Sequence, residues 1–104
     1  MNEIRFDRWP KADGPLTEKR MMRLLEFEGY DVLVYTYRPG TLFPDHEHAR
    51  PKCDGVISGV LRVSVGDASW ALGPGDRIYL PAATRHRAEV VGSETVVSLD
   101  GTLW

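Results

Sequence analysis

The stretch GVISGVLRVSVGDASWAL, residues 55–72, decides the fold. It is rich in β-branched residues, and its odd positions, among them Ile57, Leu61, Val63 and Val65, line one face with the period of a strand. We read GVISGVLRVSV (55–65) as one long strand that turns through Gly66-Asp67 into a second, ASWAL (68–72). Upstream, YDVLVYTY (30–37) is another strand, closed by Pro39-Gly40. Downstream, Gly73-Pro74-Gly75-Asp76 makes a turn into RIYLP, and RHRAEVV and ETVVSLD form a further strand pair joined by Gly92-Ser93. Short strands at regular spacing with glycine and proline punctuation predict an all-β sandwich or barrel. Only PLTEKRMMRLLEFEG (15–29) has helical spacing. Thr17 suits an N-cap, Glu18 the positive helix start, Leu16 and Met21 a hydrophobic staple, and Gly29 a stop. This predicts one helix near residues 17–28, packed outside the barrel.

A chain of 104 residues makes one domain, with an N-terminal segment and helix over 1–29 and a barrel over 30–104. A formal net charge of −2 offers no basic field for nucleic acid or an anionic membrane. The single cysteine excludes an intramolecular disulfide framework and fits a reducing cytoplasm. The first residues, MNEIRFDRWPKADG, hold no apolar signal core, and no apolar run reaches the ~20 residues of a membrane span. A cytoplasmic domain is the expectation.

Two of the three histidines and the only cysteine fall within HEHARPKC, residues 46–53, and the third histidine is His86. Strand alternation puts Leu42, Pro44, His46 and His48 on one face, and Thr84, His86, Ala88 and Val90 on the apolar face of theirs. From 53 to 65 the odd positions, Cys53, Gly55, Ile57, Gly59, Leu61, Val63 and Val65, read as the core face. The cysteine is thus expected to point inward, with Lys52 and Asp54 outward. Imidazoles at i and i+2 on one apolar face crowd each other unless they share a bound group, so a metal site is expected.

At this point the chain resembles a small single-domain cupin. The first cupin motif, G-x5-H-x-H-x3/4-E-x6-G, begins as Gly40-TLFPD-His46-Glu47-His48. The second, G-x5-P-x-G-x2-H-x3-N, reads Gly75-DRIYL-Pro81-Ala82-Ala83-TR-His86-RAE-Val90, with Ala83 and Val90 replacing glycine and asparagine. The resemblance covers about residues 30–100 and implies a cupin-type β-barrel (a double-stranded β-helix or jelly roll) with one short N-terminal helix. It also implies metal ligands, but the glutamate of the first motif is missing. Counting back from Gly59 puts it at Lys52, and the longer spacing from His48 puts it at Cys53. Parity and the inability of an ammonium to coordinate select Cys53. The expected ligands are His46, His48, Cys53 and His86, a set suited to zinc, iron(II), copper or nickel, with manganese disfavoured. Thiol dioxygenases, which are cupin relatives, offer the alternative of three histidines alone with open positions.

Tyr35, Tyr37 and Tyr79 are candidates to line a small-molecule site, with Arg50 and Lys52 drawing an anion to its mouth. Trp9, Trp70 and Trp104 are assigned to packing or dimer contacts. Small cupins associate through edge strands and N-terminal segments, here RFDRW (5–9), which implies a homodimer. The leading functional expectation is a metalloenzyme acting on a small organic molecule, oxygenase- or isomerase-like. The alternatives are a non-catalytic binding or sensing module with a closed structural site, and an empty barrel.

Overall fold

The amphipathic segment after Pro15 forms α1 (Glu18–Phe27) in a computed structural model that describes residues 3–104. The Thr17 side chain caps it by accepting from Arg20 N at 3.0 Å, and Gly29 leaves it at φ 101°. Met21 and Leu25 are wholly buried, each contributing roughly 1.5–3 kcal/mol by apolar burial. The described residues also form nine strands: β1 (Arg5–Asp7), β2 (Tyr30–Tyr37), β3 (Leu42–His46), β4 (Lys52–Ser58), β5 (Val60–Val65), β6 (Ala68–Leu72), β7 (Arg77–Leu80), β8 (His86–Val91) and β9 (Val96–Leu103). They build a five-stranded sheet in the order β1-β7-β4-β9-β2 and a four-stranded sheet in the order β3-β8-β5-β6, with antiparallel pairing throughout. The architecture is the expected all-β cupin-type barrel with one helix outside it. No helix among the described residues is long and apolar enough to cross a membrane.

Two apolar clusters divide the interior. The main core lies between the sheets and includes Val56, Leu61, Val63, Leu72, Ile78 and Leu80. The second lies on the far side of the five-stranded sheet, where Met21 and Leu25 of α1 close over Cys53, Tyr79 and Leu99.

The structure corrects two expectations about the strands. The stretch 55–65 is two strands in different sheets, not one, and the chain crosses at Gly59 with φ 76°. The pairing of β4 with β9 also shifts register between Val56 and Ser58. Together these reverse the alternation, so even positions face inward before the crossing and odd positions after it. Likewise RHRAEVV and ETVVSLD do not pair with each other: β8 lies between β3 and β5, and β9 between β4 and β2. Residues 5–7 of RFDRW pair with β7 of the same chain and cover that sheet edge. The Gly66-Asp67 hairpin stands as expected, with Val65 opposite Ala68.

The crossing depends on glycine. A Cβ at position 59 would lie 2.6 Å from Thr95 O, in a backbone region that L-residues avoid. Gly59→Ala should therefore lower stability by about 2–4 kcal/mol in denaturant unfolding. Gly66→Ala, also at positive φ but with open space around it, should cost less.

Candidate metal centre

β3 and β8 deliver the histidines. Their pairing places Phe43 opposite Ala88 and His46 opposite His86, so one extra residue bulges from β3 between these pairs. The bulge alters the expected alternation: Phe43 turns into the cup, whereas Leu42 is 69% exposed. His46 still faces inward. His48 follows on a loop tied to the second motif by a bond from Ala83 N to His48 O at 2.8 Å. Ala83 itself sits at φ 61°, a conformation that suits the glycine of the cupin motif better than alanine.

The three imidazoles converge. Ring centroids lie 4.2 Å apart for His46 and His86, 4.9 Å for His46 and His48, and 5.4 Å for His48 and His86. One ring nitrogen from each falls within 4.8 Å of the others. His46 Nδ1 lies 2.7 Å from Pro44 O, and His86 Nδ1 lies 2.8 Å from Thr84 O. A carbonyl only accepts, so both Nδ1 atoms carry the hydrogen and both Nε2 atoms keep a free lone pair. Burial, with nearby Lys52 adding to it, lowers the His48 pKa; burial, with His46 and Lys52 adding, lowers that of His86 despite the bond to Thr84. These two rings are held in the neutral form that ligates a metal. The donor set fits a divalent ion.

The rest of the cup departs from the sequence reading. A cavity of about 170 Å³ lies beside the histidines, walled by Tyr37, Phe43, Leu61 and Ala88 and floored by Lys52, Asp54, Ser98 and Asp100. Lys52 occupies the inward position of β4 where cupins carry the glutamate. Its Nζ donates to Thr102 Oγ1 at 2.8 Å and stands 2.8 Å from Asp100 Oδ1. That second approach is an ion pair poorly aligned for a hydrogen bond, and it is the one polar partner of the buried Asp100 Oδ1. Asp54 and Asp100 are direct cross-strand partners. Burial and then the Asp100 charge push the Asp54 pKa up to about 7. Burial, and then the charges of Asp54 and Asp100, raise the Tyr37 phenol to about 12.

Cys53 is not among the converging groups, which corrects its assignment as a ligand. It is fully buried on the opposite face of β4, against Met21, Leu25, Tyr79 and Leu99. The cause is the reversal at Gly59, across which parity had been carried. Burial raises its thiol pKa well above the ordinary value, so it is an inert apolar side chain. Tyr79 shares that face: its hydroxyl donates to Glu28 Oε1 at 2.6 Å, away from the cup. Tyr37 lines the cavity, and Tyr35 stacks on it with centroids 6.1 Å apart while remaining 40% exposed. The sequence reading missed Asp100 altogether and turned Lys52 and Asp54 outward. The count back from Gly59, which reaches Lys52, was the one signal pointing to it.

With this geometry in view, comparison with known proteins is direct. Residues 33–101 match the cupin domain family, and the chain belongs to it. No curated protein matches the chain. Among solved structures, a conserved protein of unknown function from Streptococcus pyogenes shares 17% identity at a TM-score of 0.64, over 72% of this chain and 64% of that one. Bacillus subtilis oxalate decarboxylase, described with Mn(II) centres, shares 28% at a TM-score of 0.63, over 71% of this chain and 21% of that one. KdgF from a Halomonas species shares 22% at a TM-score of 0.59, over 71% and 70%. The chain thus spans 64% of the streptococcal protein and about a fifth of the decarboxylase.

Asp54 gives the site a pH signature. Its folded pKa lies above the unfolded value of 3.8, so the stability it contributes is complete below that value and is lost as pH rises toward 7. Asp54→Asn lacks this loss. The variant should match wild type near pH 4.5 in thermal melts of metal-free protein, and exceed it by about 2 kcal/mol at pH 8.

Proposed function

We propose that this cupin is a metal-dependent enzyme acting on a small organic molecule, with His46, His48 and His86 as the protein ligands. The observation that carries this reading is the convergence of three imidazoles beside an open cavity, with Lys52 where a fourth protein ligand would stand. A bound divalent ion would supply Lewis-acid polarisation of a ligand oxygen at positions left free by the three nitrogens. The chain's own groups do the rest. Nδ1 bonds to Pro44 O and Thr84 O aim two of the rings. Tyr37, Phe43, Leu61 and Ala88 exclude water from one side of the ligand. Lys52, restrained by Asp100 and Thr102, keeps its charge on the floor rather than over the nitrogens.

Three nitrogen donors without a carboxylate favour zinc, iron(II), copper or nickel over manganese. The resemblance to oxalate decarboxylase supports a small oxygen-rich acid as the ligand class. A homodimer is also proposed, on the exposed apolar Leu33, Val34 and Tyr35 of β2, an edge strand of the five-stranded sheet. A non-catalytic sensing module is the second reading; it is favoured by the small size of the cavity.

Two variants test the ligand set. His48→Ala/His86→Ala should abolish retention of zinc after dialysis, measured by elemental analysis, and full occupancy in that protein would put the site elsewhere. Cys53→Ser should leave zinc retention unchanged, and cobalt-substituted wild type should show no thiolate-to-metal charge-transfer band. Such a band, lost on Cys53→Ser, would mean that β4 is turned the other way.

A further inference from the structure

An ammonium is a surprising group to find inside a metal-binding cup. Only 14% of the Lys52 side chain is exposed, and it lines the same cavity as His46, His48 and His86. It cannot ligate an ion, because it has three N–H donors and no lone pair. One donor goes to Thr102 Oγ1 at 2.8 Å, and the approach to Asp100 Oδ1 is poorly aligned for a second bond. Among the described residues Nζ has no other hydrogen-bond acceptor, so it keeps donor capacity for a group in the cavity. Its charge also reaches the rings. Lys52 opposes protonation of both His48 and His86, and at His48 it outweighs the opposite effect of Asp100.

The charges in the cup then call for an anion. Imidazoles that bind an ion are neutral. Below about pH 7, burial and the Asp100 charge keep a proton on Asp54. The floor is left with one cation and one anion, Lys52 and Asp100, which offset each other. A divalent ion at the histidines would therefore have no counter-charge among the residues that line the cavity. Size narrows the ligand further. An apolar cavity of about 150 Å³ holds benzene, so one of about 170 Å³ fits a body of about six non-hydrogen atoms.

We propose that Lys52 is the anion-positioning residue of this cup, and that its ligand is a small carboxylate spanning from the histidine-held ion to Lys52 Nζ. This rests on the metal reading above. The ligand brings the carboxylate that the first cupin motif carries in its own chain, and Lys52, at the position of the missing glutamate, receives it. Tyr37, Phe43, Leu61 and Ala88 pack the rest of the molecule. Thr102 and Asp100 act through Lys52 by holding Nζ at the floor.

Acetate is the probe, and the visible spectrum of cobalt-substituted protein at about pH 6 is the readout. Wild type should show a saturable change with acetate. Lys52→Met should weaken acetate binding by about tenfold or more, the loss of one charge-assisted hydrogen bond, while cobalt is retained. Lys52→Met/Asp100→Asn should do the same; it leaves the net charge of the floor unchanged and buries no unpaired carboxylate. Imidazole, a neutral donor to the ion, should bind wild type and both variants alike. Acetate binding unchanged in the double variant, or acetate and imidazole weakened equally, would overturn the proposal while leaving the metal reading intact. A wild type that holds cobalt and binds imidazole without responding to acetate would do so as well. Wild type that loses cobalt on dialysis would instead overturn the metal reading, and this proposal with it.

Discussion

The contact between Met21 of α1 and Gly55 of β4 fixes which way the central strand faces. A Cβ at Gly55 would lie 2.5 Å from Met21 Sδ, so the helix approaches β4 at a position with no side chain. With Gly55 turned to the helix, alternation leaves no choice for its neighbours. Cys53 must join Met21 and Leu25 outside the barrel, and Lys52, Asp54 and Val56 must face in. The helix thus does more than cover a sheet. It sets the chemistry of the cup from behind, without touching it.

That orientation explains how a lysine can stand where cupins place a metal-binding glutamate. Removing one carboxylate from the donor set and adding an ammonium changes the local charge by two. Unopposed, that change would work against a cation at the histidines. The ion pair to Asp100 and the bond to Thr102 absorb it, and both partners come from β9, which β4 meets in register at these positions. The result is a site with three imidazole ligands and a floor that carries its own internal salt bridge. Such a site keeps more of a bound ion's charge for the ligand, because no protein carboxylate neutralises it.

The legibility of the sequence followed the locality of the signals. The helix was readable because Thr17, Met21, Leu25 and Gly29 act within one element. The hairpin at Gly66-Asp67 was readable because two residues suffice to define it. His46 and His86 were readable because each lies on its own short strand, although His46 reaches the cup through a bulge that alternation alone does not foresee. Cys53, Lys52 and Asp54 were misplaced because their faces depend on events elsewhere: the crossing at Gly59, the register shift after Val56 and the helix packed at Gly55. The period-2 pattern holds only inside an unbroken strand. The pairing of Asp54 with Asp100 was invisible for a further reason, since 46 positions of sequence separate two residues that only sheet topology brings together.

The conflicts in this fold are also unevenly placed. The core between the sheets is uniformly apolar, and its buried side chains alternate as a barrel interior requires. Around the cup the local rules are broken repeatedly: Ala83 holds a left-handed conformation, β3 bulges before His46, two carboxylates face each other, and a buried oxygen has only a poorly aligned ammonium beside it. Each departure costs stability, and a chain selected for stability alone would replace Ala83 with glycine and one aspartate with an apolar residue. None of the four supports the packing of the core. What they share is position, on or beside the floor and rim of a single cavity. One further conflict, the buried Arg77 Nε without an acceptor, lies outside the cup, and the four gathered around the cavity mark it as the place where local rules give way to function.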